Sequence, residues 1–232
     1  MTPHRLQRLR EVLARRQPDL TVLMDGVHKK HNVSAVIRSC DAVGVLDAHA
    51  VWPGPRLRPH ASLAGGSGRW VHVVTHADMS AALTYLHGAG LRIVAAQQGE
   101  HAQDYRALDY TQPTAFVLGA ELDGLGPVAR AHADVHALIP MQGMVGSLNV
   151  SVAAALFLFE AQRQRLAAGL YERCRLDPAR YDAVLFEWAH PLVAAYCHRH
   201  CVPYPPMDEA GTIIGPFRPV AGDVTKSRTR KA

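Results

Sequence analysis

At 232 residues, with 48% hydrophobic and 19% charged residues, the chain is long enough for one substantial core and has the makeup of a globular protein. No apolar run reaches membrane-spanning length, and four cysteines at irregular spacing argue against a disulfide framework. The net charge of +5 sits at the extremities: residues 1–20 hold five arginines against two acids, and residues 223–232 four basic residues against one. Basic ends around a mildly acidic middle suit a polyanion, although solvated helix faces would carry the same charges.

Leu6, Leu9, Val12 and Leu13 form a helical stripe that Pro18 ends. Thr21–Met24 reads as a buried strand, and Asn32 is expected to cap a helix running to Gly44. Strands follow at Ala48–Trp52 and Val71–Val74, then a helix from Asp78 to about His87, then strands at Leu91–Ala96 and Thr114–Leu118. A helix over Gly124–Ala133 precedes a strand over Val135–Ile139, which Pro140 stops. Ser147 is expected to cap the next helix, reaching about Gln164. Alternating strands and helices predict an α/β fold with a largely parallel sheet covered on both faces. A basic helix over residues 1–20, an α/β body over 21–169, a helical extension over 170–206 and a disordered basic tail over 207–232 complete the organisation.

Two tempting site readings fail. The glycine cluster Ala64–Gly68 precedes a strand rather than a helix and lacks Gly-Lys-Ser/Thr, so it is no phosphate loop. Cys197-His-Arg-His-Cys201 has no second ligand pair to close a tetrahedral zinc site, and no metal is expected.

The segment Ile139-Pro-Met-Gln-Gly143-Met144-Val-Gly146-Ser147-Leu148-Asn149 is more informative. Its glycines let backbone approach a bound molecule, and an apolar loop ending at a helix N-terminus suits a flat heterocycle beside a polar group. This string resembles the third motif of the SpoU/TrmH branch of the SPOUT RNA methyltransferases. Asn32-Val-Ser-Ala-Val-Ile-Arg38 with Asp41-Ala-Val-Gly44 resembles the first motif, and Phe116-Val-Leu-Gly119-Ala-Glu121-Leu-Asp-Gly124 the second. All three lie in family order, and the likeness runs from about Arg5 to Tyr204.

The resemblance implies a deep trefoil knot in the C-terminal part of the sheet domain, a homodimer, S-adenosylmethionine as methyl donor, and transfer to a ribose 2'-hydroxyl. Members with so short an N-terminal helix act on a guanosine in the D-loop of tRNA, so tRNA is the expected partner, with neither DNA nor membrane, in the cytoplasm. By the same likeness Ala96, Gly119, Ile139, Met144 and Leu148 hold the donor nucleoside. Asn32, Arg38, Glu121, Ser147 and Asn149 form the catalytic set, and Arg8, Arg15, Arg16, Lys29, Arg163, Arg165 and Arg173 face RNA. A guanidinium has no acceptor atom and stays protonated, so Arg38 is read as an electrostatic and positioning group rather than a base. His28 and His31 lie beside the motif as alternative bases. Lys30, Ala96 and Gly146 depart from the family's usual Pro, Thr and Gln. Rival readings are a ribosomal-RNA ribose methyltransferase, whose relatives carry a larger N-terminal domain, a non-catalytic RNA-binding protein of this fold, and a nucleotide-dependent enzyme acting on small molecules.

Overall fold

The computed structural model describes residues 1–27, 29–52, 67–99, 101–120 and 124–215. His28, residues 64–66 of the glycine cluster, Glu121 and the chain beyond residue 215 therefore lie outside the described residues. The chain divides into two compact units: residues 15–176, and residues 1–14 together with those from 177 on.

The larger unit holds a parallel sheet. Its strands are β1 (Leu20–Met24), β2 (Asp47–Val51), β3 (His72–His76), β4 (Arg92–Ala96), β5 (Gln103–Asp104), β6 (Thr114–Leu118) and β7 (Val135–Leu138), in the order β3-β2-β1-β6-β4-β7-β5. All ladders between them are parallel, as the alternating pattern requires. Side chains alternate across each strand, so one run feeds two cores. Leu20, Val22 and Met24 of β1, with Phe116 and Leu118 of β6, pack beneath α2 (Lys30–Val43) and α5 (Val150–Ala167). Leu23, Ala115 and Val117 face the other way, toward α3 (Met79–Gly88) and α4 (Pro127–Ala131). Because both faces are covered, β1 and β6 are buried along their whole length and are largely apolar.

Two expected caps fall elsewhere. α2 begins at Lys30, so Asn32 lies inside its first turn, buried rather than capping. The chain stays irregular through Ser147, and Asn149 caps α5 by accepting from the Ser151 amide at 2.9 Å. Gly44 ends α2 as expected, at φ +87°, where its backbone N–H reaches the Asp41 and Cys40 carbonyls. β5 was not anticipated, since two residues are too few to show a period.

In the smaller unit α1 (Pro3–Ala14) packs on α6 (Pro178–Ala189), which is followed by α7 (Pro191–His200). Leu6, Leu9 and Leu13 are buried, as are Val184, Leu185, Phe186 and Trp188. The Tyr204 ring stacks on Phe186 at 4.8 Å, and Arg10 donates to the Glu209 carbonyl at 2.8 Å. None of the described helices is long and apolar enough to cross a membrane.

Candidate active site

In a parallel sheet the loops leaving the carboxyl ends of neighbouring strands share one edge, and ligands collect there. β4, β6 and β7 are adjacent, and the segments after them enclose a cavity of about 410 Å³. The β6 loop is tightly made. Ala120 and Gly124 exchange two backbone hydrogen bonds of 3.1 and 3.0 Å, and Gly124 adopts φ +65° to close the turn. A Cβ on Gly119 would sit 2.3 Å from the Gly124 carbonyl carbon, so only glycine lets the two backbones meet. Beyond the turn, the Asp25 carboxylate accepts from the Gly126 amide at 2.9 Å, while the Asp25 amide donates to the Leu118 carbonyl at 2.8 Å. The start of α4 is thereby pinned to the end of β1.

The other walls are fixed by amides. Gln97 donates its backbone N–H to the Ala137 carbonyl at 3.0 Å, and its side-chain nitrogen lies 2.9 Å from His136 Nδ1. Gln98 Nε2 donates to the Ile139 carbonyl at 3.1 Å. Phe157 and Val150 of α5 form the apolar floor.

Of the residues expected around a methyl donor, Ala96, Gly119, Ile139 and Leu148 line this cavity, and Ser147 joins them. Met144 does not: its side chain is fully exposed, and Met141 lines the cavity in its place. The loop between β7 and α5 has no regular structure, so spacing along it does not reveal which methionine turns inward. Gln97, Gln98 and Arg130 also line the cavity and escaped sequence reasoning. The available signal was their place just past β4 and just past the glycine turn.

Arg38 is exposed on α2 and is not among the lining residues. Asn32 and Asn149, far apart in the chain, are joined: Asn149 Nδ2 donates to Asn32 Oδ1 at 3.2 Å. Cys40, on the inner face of the same helix, is unsuited to nucleophilic work, because burial pushes its thiol up to about 12.

Two of the seven residues expected on RNA are corrected. Arg16 is 1% exposed, and its guanidinium holds the Asp41 carboxylate at 2.5 Å and the Val45 carbonyl at 2.9 Å. Arg165 is 0% exposed and bonds Asp19 at 2.6 Å, the Tyr110 carbonyl at 2.8 Å and the Gln112 carbonyl at 3.0 Å. Each side chain points into the protein because a carboxylate and backbone carbonyls satisfy it there. Burial opposes ionisation of Asp19, but the bonds from Arg175 and Arg165 outweigh it and lower its pKa. Arg8, Arg15, Lys29, Arg163 and Arg173 are exposed. Arg163 pairs along the surface with Glu160 at 2.7 Å.

The parallel-sheet fold is shared with known RNA methylases. Residues 19–159 match the SpoU rRNA Methylase family and residues 163–216 the SpoU rRNA methylase C-terminal family, and the chain belongs to the SpoU methylases. It is 51% identical over 215 residues to the tRNA (guanosine(18)-2'-O)-methyltransferase of Escherichia coli K12, covering 92% of this chain and 94% of that one. Among solved structures, the Aquifex aeolicus TrmH/SpoU tRNA modifying enzyme superposes with a TM-score of 0.76 at 41% identity, covering 81% of this chain and 96% of that one. The SpoU methyltransferase AviRb from Streptomyces viridochromogenes, solved with the cofactor AdoMet, gives a TM-score of 0.59 at 26% identity over 65% of this chain and 62% of its own.

Proposed function

We propose that this protein transfers a methyl group from S-adenosylmethionine to the ribose 2'-hydroxyl of guanosine 18 in tRNA. The observation that carries the reading is the 51% identity over 215 residues, 92% of the chain, a span long enough to take in the cavity-forming loops. The cavity suits the donor: its volume of about 410 Å³ and apolar walls accept an adenosine, and its edge is polar at Gln97, Gln98 and Ser147. Ala96, Gly119, Ile139 and Leu148 would hold the nucleoside, with Ser147 at the methionine end. When bound, S-adenosylmethionine supplies an electrophilic methyl group on a sulfonium.

The remaining work falls to the protein. A ribose hydroxyl is a poor nucleophile until its developing negative charge is stabilised. Arg38, lying outside the cavity lining, would act from the RNA side: it binds the phosphate next to the target ribose and stabilises the emerging alkoxide, while water or phosphate takes the proton. Asn32 and Asn149 would keep α2 and the donor loop in register for that approach, and Glu121 would order the glycine turn. Arg8, Arg15, Lys29, Arg163 and Arg173 would meet the RNA backbone.

A homodimer of knotted, cytoplasmic protomers belongs to the same reading. Met144, Val145, Val152 and Phe159 are exposed apolar side chains in and after the third motif, a concentration that a second copy would cover. Methylation of a tRNA transcript with labelled donor, followed by mapping of the modified ribose, tests the function. Incorporation at guanosine 18 is expected, and a methyl group found only on ribosomal RNA would overturn it.

A further inference from the structure

Among the described side chains lining the cavity, Arg130 alone is charged, and none of these described residues is acidic. Its position is set with care. Asp25 fixes the Gly126 amide, Pro127 opens the single turn of α4, and the Arg130 amide closes that turn on the Gly126 carbonyl at 3.1 Å. Ala129 beside it is fully buried, and the His132 ring takes the Val128 carbonyl at 2.9 Å. The Arg130 guanidinium is exposed, and no ion pair among the described residues uses it.

The donor proposed above carries two cationic groups and one anionic group. A described lining with a single guanidinium and no carboxylate complements the anion. A planar guanidinium also meets a carboxylate through two parallel hydrogen bonds, which a backbone amide does not offer. We infer that Arg130 grips the α-carboxylate of the donor's methionine end and so selects intact amino-acid thioether nucleosides over truncated ones. This rests on the donor assignment of the preceding section. It gives the turn after the second motif a reason to carry a base just beyond Pro127.

Calorimetry on the whole protein separates the possibilities, using S-adenosylhomocysteine, which has the carboxylate, and 5'-methylthioadenosine, which lacks it. R130Q is expected to weaken S-adenosylhomocysteine by about tenfold to a hundredfold, the weight of a charge-assisted pair, while 5'-methylthioadenosine binds as before. R130K should recover part of the loss. Equal weakening of both nucleosides would mean that Arg130 only shapes the turn. No change for either, with a fall in tRNA affinity, would make it a phosphate contact. Both outcomes overturn the inference and leave the donor assignment standing. If the unaltered protein binds neither nucleoside, the donor assignment falls and takes the inference with it.

Discussion

Asn149 donates its side-chain amide to Asn32 across 3.2 Å, joining the first turn of α2 to the cap of α5 over 117 residues of chain. The same Asn149 side chain accepts from the Ser151 amide at 2.9 Å and its hydroxyl at 2.6 Å, so it serves the helix with its oxygen and α2 with its nitrogen. Asn32 is 2% exposed, and truncating it removes a buried amide whose oxygen accepts from Asn149. Asn32→Ala should therefore cost about 1–3 kcal/mol. In a double-mutant cycle with Asn149→Ala, urea denaturation should show a coupling of about 0.5–1.5 kcal/mol. Additive losses would mean that the two asparagines act independently.

Two arginines two positions apart on α5, Arg163 and Arg165, should behave oppositely. Arg165→Ala leaves Asp19 short of a buried partner and empties a fully enclosed site, so denaturation should show a loss of about 3–5 kcal/mol. Arg163→Ala should leave the denaturation midpoint almost unchanged, because its pair with Glu160 is solvated. Its effect should appear instead as weaker tRNA binding with a shallower salt dependence.

Removing the Arg38 guanidinium should lower the methylation rate at least about a hundredfold with little change in melting temperature, as losses of transition-state charge stabilisation do. Arg38→Lys keeps the charge without the fork and should fall between. Single-turnover rates at saturating donor and tRNA would read this, and an unaltered rate in Arg38→Ala would remove the residue from catalysis.

Gly119→Ala places a methyl group against the Gly124 backbone, with 2.3 Å where at least 3 Å is needed. The turn must open, so binding of S-adenosylhomocysteine should weaken by about tenfold or more, as sub-ångström displacement of a ligand wall does. An unchanged affinity would show that the turn does not shape the donor site.

Acid should loosen the β2–β3 edge. Burial first, and then nearby His76, pull His49 down to about 4 against the opposing pull of Asp47, while burial lowers His76 as well. The two rings touch at 2.9 Å between Nδ1 and Nε2 and pack against Tyr85. A histidine depressed in the folded state favours folding fully above its unfolded pKa of about 6.5 and loses that advantage as pH drops toward 4, on the order of 2 kcal/mol. Thermal melts should show a falling midpoint over that window, and His49→Leu should flatten it.

How much of this was legible depended on the range of the cause. β6 showed itself at its true bounds, because Thr114 and the four apolar residues after it, set between turn signals, suffice for a strand. Gly44 announced a helix end for an equally local reason. The caps misled: an asparagine is a good cap in isolation, yet Asn32 spends its side chain on a residue 117 positions away. The same holds for Arg165, whose Asp19 partner lies 146 residues off, so its charge looked as available as that of Arg163. Arg130 was missed because the cavity it borders exists only once β4, β6 and β7 stand side by side.

The strand order carries a consequence for biosynthesis. β3, β2 and β1 are complete once residue 76 has been made, but the inner edge of β1 stays unpaired until β6 emerges at residues 114–118. During translation the buried sequence Leu20–Met24 thus shows an open apolar edge, the kind that invites stray pairing between nascent chains. Codon changes that slow the ribosome between residues 77 and 113 should prolong that exposure and raise the fraction recovered as aggregate.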